Sequence, residues 1–152
     1  MKSIKFLSVF AVLAILLFAS CSKQAKLERR LEGKWNIDSL NFGVRANGVL
    51  DTSTKISKSN AGEISLMRGE TNTGSIIFTN SGSIETHAIN KWTNTENQLT
   101  IVDVAVNYTD TMVFDIISNQ VNRQVWKSSH TTTTGGVTFV EELSYKVSRI
   151  KQ

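Results

Sequence analysis

The clearest pattern in this chain is an alternation of apolar and polar residues near its C-terminus. Between Val137 and Ser148 most apolar side chains fall on one side of an extended strand, and most polar ones fall on the other. The apolar set is Val137, Phe139, Leu143, Tyr145 and Val147, and the polar set is Thr138, Glu142, Ser144, Lys146 and Ser148. A period of two with one apolar face predicts a β-strand that covers a core. Met112, Phe114 and Ile116 alternate in the same way.

The first predicted strand begins at Gly33 and changes phase part-way along. Trp35 and Ile37 share one side, whereas the apolar residues from Leu40 to Val44 fall on the opposite one. A β-bulge inserts one extra residue and would return both sets to a common face. The pattern therefore predicts a bulge near Asp38-Ser39.

Turn signals divide the rest of the chain into short strands. Asn47-Gly48 is typical of a two-residue hairpin, and further polar turns are expected at 80–82, 94–98, 118–120 and 131–136. Residues 51–63 are polar and aperiodic, which predicts a long loop, and a second loop is expected at 128–136. With a weak strand near 64–68, eight strands are predicted. Regularly spaced short strands are typical of a sandwich or a barrel.

The N-terminus has a different composition from the rest of the chain. Lys2 and Lys5 precede an uncharged apolar run from Phe6 to Phe18, and the small residues Ala19 and Ser20 lead to Cys21. This order resembles a bacterial lipoprotein signal peptide that ends in a lipobox. The run is short for a bilayer span, although a plain transmembrane anchor is the alternative. The resemblance implies a signal peptide over residues 1–20, acylation of Cys21 and attachment to a membrane.

Removal of residues 1–20 would change the charge balance. The chain carries 17 Lys and Arg against 13 Asp and Glu, so losing Lys2 and Lys5 leaves 15 against 13, a formal charge of +2. That balance gives no case for nucleic acid, which calls for a clustered basic face. Cys21 is the only cysteine, so a disulfide within the chain is excluded. Lys23 and Lys26 without an early acid favour an outer-membrane protein that faces the periplasm.

Residues 21–32 are predicted to form a lipidated tether and a short helix. Leu27 and Leu31 are four positions apart and would share a helical face across one end of a barrel. Gly33 is a residue on which helices often end. A solvated linker is the equal alternative, because isolated helices of this length are marginally stable.

Gly33-Lys34-Trp35 stands at the start of the first predicted strand, after that helix. It resembles the Gly-x-Trp signature of the lipocalin and calycin group, and the ending from Leu143 to Ile150 is similar to that of bacterial lipocalin-like lipoproteins. The resemblance implies an all-β fold over residues 33–152, an eight-stranded antiparallel up-and-down β-barrel. It also implies that Trp35 packs at the closed end beneath an arginine, with Arg149 favoured over Arg123.

An eight-stranded barrel can be filled by its own side chains or can hold one small ligand. The apolar residues expected on the inner face are Ile37, Phe42, Ile76, Phe78, Leu99, Ile101, Met112, Phe114, Phe139 and Tyr145. If a binding site exists, Phe78, Phe114, Phe139 and Tyr145 are its predicted walls. Glu141 shares the inner side of its strand and could orient a ligand, unless the strand is bulged or exposed there. Asp103 carries the same ambiguity.

Catalysis finds little support in the sequence. His87 and His130 are the only histidines, and neither has a partner at metal-ligand spacing. No nucleophile elbow, phosphate loop or paired-carboxylate motif is present, so we expect no enzyme, no metal and no cofactor. Two hypotheses remain. One is a membrane-anchored barrel that binds a small apolar or amphipathic molecule. The other is a filled barrel whose loops bind another envelope protein.

Overall fold

The computed structural model describes residues 25–80, 82–105 and 108–151, with the backbone alone at 103–105 and 108–110. A short helix, α1, spans 25–31. The strands are β1 Gly33–Ala46, β2 Val49–Met67, β3 Thr73–Asn80, β4 Ser83–Asn94, β5 Gln98–Ala105, β6 Tyr108–Asn119, β7 Arg123–Thr134 and β8 Val137–Arg149. The predicted signal peptide and Cys21 lie outside the described residues.

The eight strands form a closed antiparallel barrel with up-and-down order. Each strand pairs with the next one in the chain, and β8 pairs with β1 to close the wall. Closure leaves every strand with two neighbours, which removes most of the exposed sheet edge. The predicted fold class is confirmed, and the barrel is compatible with a lipocalin-like fold.

The predicted bulge in β1 is confirmed. The register of β1 shifts between Ile37 and Ser39 against both of its neighbours, β2 and β8, so Asp38 is the extra residue. Beyond the shift, Leu40 lies opposite Tyr145 just as Ile37 lies opposite Val147. The bulge therefore keeps the two apolar sets of β1 on the inner face.

The prediction of a long loop at 51–63 is wrong. These residues belong to β2, a strand of 19 residues that pairs with β1 along most of its length. The Asn47-Gly48 turn joins the two strands, with φ of 48° and 83° respectively, as a two-residue hairpin turn requires. Most of the segment is exposed. Because residues 51–60 bury neither face, apolar and polar residues do not alternate along them.

The loop predicted at 128–136 is likewise a hairpin. β7 continues to Thr134, and Gly135 and Gly136 make the turn into β8 with φ of 59° and 78°. The Ser and Thr side chains of this part of β7 are mostly exposed. Here too a solvated strand lacks the apolar face that a sequence pattern would detect.

The core fills the end of the barrel that lies beside α1, which we call the closed end. All three tryptophans are 0% exposed there, and Phe114 packs on both Trp126 and Tyr145, with ring centroids 6.4 and 5.4 Å apart. The predicted inner residues divide into two groups. Those fully buried are Ile37, Ile76, Leu99, Ile101, Phe114 and Tyr145, and those half-buried are Phe42, Phe78, Met112 and Phe139.

The opposite end carries the Asn47-Gly48 and Gly135-Gly136 turns, and we call it the open end. Among the described residues, the β6–β7 ladder stops at Asp115 and Lys127, although both strands continue well beyond that pair. The β2–β3 ladder similarly starts only at Gly62. The strands β7, β8, β1 and β2 therefore extend past their neighbours as one ribbon, and the wall opens at its margins.

Candidate functional site

A recess of about 530 Å³ opens where β6 and β7 separate. Its lining is Phe42, Thr111, Met112, Val113, Ser128, Ser129, His130, Glu141 and Leu143. Consecutive residues of β6 and of β7 contribute, and consecutive residues of a strand point to opposite faces. The recess therefore passes through the wall of the barrel and joins the interior to the outside.

The floor of the recess is apolar. Leu143 lies between Phe42 of β1 and Ser128 of β7 in the sheet register. Leu143 and Met112 also pack against the buried core. Three half-buried apolar side chains, from β1, β6 and β8, thus meet the space from different sides. Such a surface favours the apolar part of a ligand, because binding would remove it from water.

The rim of the recess is polar. Glu141 lies opposite Val44 on one side and His130 on the other. The β7–β8 ladder has no register shift here, so no bulge turns Glu141 outward. Glu141 is exposed because the barrel has opened at this level. This explains how a carboxylate can occupy an inner position without the cost of burial.

Glu141 and its neighbour Glu142 differ in their partners. Glu142 accepts a hydrogen bond from Nε of Arg45 at 2.9 Å on the outer face. Within the described part of the chain, the Glu141 carboxylate has no hydrogen bond or ion pair. Glu142 is thus engaged in an ion pair within the fold, whereas the carboxylate of Glu141 is available at the rim.

The structure separates the other residues that were predicted to bind a ligand. Phe114 and Tyr145 belong to the buried core beneath the recess. Phe139 is half-buried and lies nearer the open end, opposite Ala46 and Thr132. Phe78 is on the far side of the barrel, edge-on to His87 with ring centroids 5.6 Å apart. Of the five tentative residues, only Glu141 lines the recess.

The two histidines occupy different environments. His87 is half-buried, and its Nε2 lies 3.0 Å from Oε1 of Glu85. His130 is exposed at the rim of the recess. Among the described side chains, no group of three or more His, Cys, Asp or Glu could hold a metal ion. The side chain of Asp103 lies outside that set.

The closed end contains the Gly-x-Trp residues. The guanidinium of Arg149 lies over the ring of Trp35, with Cζ 4.4 Å from the ring centroid. Arg149 donates hydrogen bonds to the backbone carbonyls of Glu32, at 2.7 Å, and Arg30, at 2.5 Å. Trp35 Nε1 donates to the carbonyl of Leu31 at 2.8 Å. Arg149, rather than the exposed Arg123, therefore fastens the end of α1 to the barrel.

Gly33 is required at the closed end for two reasons. Its φ of 124° is one that other residues rarely adopt. A Cβ atom at this position would also lie 2.8 Å from a guanidinium nitrogen of Arg149.

Burial lowers the pKa of Arg149, and Glu32 acts in the opposite direction. The guanidinium remains charged, because arginine does not deprotonate in proteins.

No protein-family model matches the chain, and no curated protein matches it either. Within the described residues, no helix is long and apolar enough to cross a membrane. The fold and the recess are therefore the features on which a functional proposal depends.

Proposed function

We propose that this protein is a lipocalin-like lipoprotein of the bacterial envelope that binds a small amphipathic molecule at the open end of its barrel. Acyl chains on Cys21 would hold it on the outer membrane, facing the periplasm. The observation that carries the binding proposal is the recess between β6 and β7. It combines an apolar floor with an available carboxylate, and its volume of about 530 Å³ lies within the range of small-molecule sites.

The polarity of the recess indicates the chemistry of the ligand. An apolar tail would contact Phe42, Met112 and Leu143, which are already half-buried. A cationic or hydrogen-bond-donating head group would meet Glu141 at the rim. The core beneath is filled by Phe114, Tyr145 and Trp126, so the ligand would lie near the surface rather than deep in the barrel.

A fluorescent alkylamine such as dansylcadaverine tests this proposal, and a neutral apolar dye serves as the second probe. Leu143→Gln should weaken both probes about tenfold, because it removes an apolar contact of roughly 1–1.5 kcal/mol. Lys146→Gln is the control, since Lys146 is exposed on the outer face of the same strand. If neither probe binds saturably to the folded protein, the proposal is rejected.

The neighbouring glutamates provide a matched pair for the head group. Glu141→Gln should weaken the amine probe about threefold to fivefold, as expected for a solvent-exposed ion pair, and should leave the neutral dye unchanged. Glu142→Gln makes the same change in charge one residue away, on the outer face beside Arg45. Equal effects of the two variants would exclude a role for Glu141 in orienting the ligand.

The second candidate is an interaction protein, and the end of the β6–β7 ladder favours it. Two strand edges face the recess, and an extended segment of another envelope protein could pair with them by β-addition. The two functions give different results with the probes. A peptide-binding site would leave the dyes unbound, and the protein would instead recover a specific partner after cross-linking from Ser129, which lines the recess.

A further inference from the structure

A second groove lies at the closed end, and its charge differs from that of the recess. Its volume is about 610 Å³, and it lies between α1, the end of β2 and the residues that follow β8. Five of its lining residues are cations: Arg29, Lys34, Arg68, Arg149 and Lys151. Glu32 is the single carboxylate in the lining, and its Oε2 lies 3.7 Å from Nε of Arg68.

Most of this positive charge is available to a partner. Arg29, Lys34 and Lys151 are exposed. Arg149 is engaged within the fold, over Trp35 and on the carbonyls at the end of α1, and Arg68 is paired with Glu32. The carboxylates nearest in sequence, Glu28 and Glu70, do not line the groove. A face with this excess of cations fits a phosphate-bearing ligand.

The position of the groove suggests which phosphates it meets. The described part of α1 starts at 25, four residues after Cys21, and four residues span at most about 14 Å. If Cys21 is acylated, the closed end must remain near the lipid surface. Met67 is 55% exposed and lines the same groove. An apolar group among cations suits the headgroup region of a bilayer.

We propose that this cationic groove docks on anionic phospholipid headgroups of the membrane to which the protein is tethered. The contact turns the closed end toward the bilayer and the recess away from it. This orientation rests on the proposed tether at Cys21, whereas the affinity of the groove for lipid does not.

Sedimentation with vesicles tests the groove without the tether. A chain beginning at Ser22 retains α1, all eight strands and the whole core, and circular dichroism checks its fold. It should bind vesicles of 30% phosphatidylglycerol in phosphatidylcholine, release them in 0.5 M NaCl, and ignore pure phosphatidylcholine. Each Lys or Arg near an anionic surface adds about fivefold in affinity, so Lys34→Gln with Lys151→Gln should weaken binding about 25-fold.

The matched control is Lys55→Gln with Lys127→Gln, which makes the same change in net charge at exposed positions away from the closed end. It should change vesicle binding less than twofold. Equal weakening by the two double variants would overturn the inference, because net charge alone would then explain binding. Binding of inorganic phosphate or of an oligonucleotide without binding to vesicles would also overturn it. Failure of the tether itself is detected separately, by fractionating cells that express Cys21→Ala.

Discussion

Replacing Arg149 with methionine tests how the barrel is closed. Methionine keeps much of the length of the side chain and its apolar stem, but it removes the guanidinium. The ring of Trp35 then loses its cation, and the backbone carbonyls of Arg30 and Glu32 lose their donor. Helix α1 loses its direct hydrogen bonds from β8, although Trp35 still donates to Leu31.

The expected loss of stability follows from these contacts. A cation over an indole contributes about 0.5–2 kcal/mol, depending on its hydration. The two short hydrogen bonds to carbonyls contribute about 1 kcal/mol each in this half-buried setting. We therefore expect Arg149→Met to lower the free energy of unfolding by about 3 kcal/mol. The free energy of unfolding of Arg149→Lys should lie between that of the unchanged protein and that of Arg149→Met, because lysine keeps the charge but not the planar fork.

Urea unfolding followed by tryptophan fluorescence measures this loss directly, because all three tryptophans are 0% exposed in the folded barrel. With a slope of about 2 kcal/mol per molar urea, the midpoint should fall by about 1.5 M. Arg123→Met is the control, since Arg123 is an exposed arginine at the same end, and it should change stability by less than about 0.5 kcal/mol. If Arg149→Met shifts the midpoint no more than this control, the closure argument is wrong.

Three further predictions concern the core, the anchor and an exposed carboxylate of β2. Phe114→Ala should cost about 3–5 kcal/mol of unfolding free energy, because Phe114 is fully buried, whereas the half-buried Phe139→Ala should cost clearly less in the same urea assay. Cys21→Ala should leave an uncleaved or soluble product in fractionated cells, and a processed, membrane-bound variant would exclude lipidation. The pKa of Asp51 is lowered by hydrogen bonds from the Ser53 hydroxyl and amide. The stability that these hydrogen bonds contribute is therefore present above the ordinary carboxyl pKa and is lost as pH falls through the lowered pKa. Ser53→Ala should raise that pKa in an NMR titration, and an unchanged titration would contradict the assigned cause.

The sequence predicts the parts of this fold that bury one face. The alternation in β8 and the phase change in β1 both result from residues packed on the core, and the bulge at Asp38 follows from the second. The placement of Arg149 over Trp35 is, by contrast, what the resemblance to the Gly-x-Trp signature implies. Trp35 lies near the start of β1 and Arg149 at the end of β8, so the two residues meet once these strands pair.

The sequence does not reveal the strands that bury neither face. Residues 51–60 of β2 are held mainly by backbone pairing with β1, so selection for an apolar side is absent there. One signal could have found this strand. The hairpin turn predicted at Asn47-Gly48 pairs the next strand with the first one, which is predicted to begin at Gly33 and to include Val44. Its partner must therefore continue well beyond Val49.

The recess was only partly predictable for a related reason. Its residues Phe42, Met112 and Glu141 were expected on the inner face, but nothing in their pattern distinguishes a filled interior from an open one. The difference depends on where the β6–β7 ladder stops, after Asp115 and Lys127. That point is set by the relative tilt and register of whole strands, which a single-sequence pattern does not encode.

The unequal lengths of the strands explain why the two ends of the barrel differ. β3 and β5 have 8 residues each, whereas β1 and β2 have 14 and 19. A continuous wall can form only at levels that every strand reaches, so the large aromatic residues gather at the closed end. The surplus length of β1 and β2 leaves the barrel as a ribbon. β6 and β7 have 12 residues each, so the recess between them opens because their pairing ends after Asp115 and Lys127, and not because either strand is short. Because this opening already exists in the folded chain, a ligand or a partner strand bound there would leave the buried core undisturbed. Changes at exposed rim residues such as Glu141 should therefore alter binding with little loss of stability.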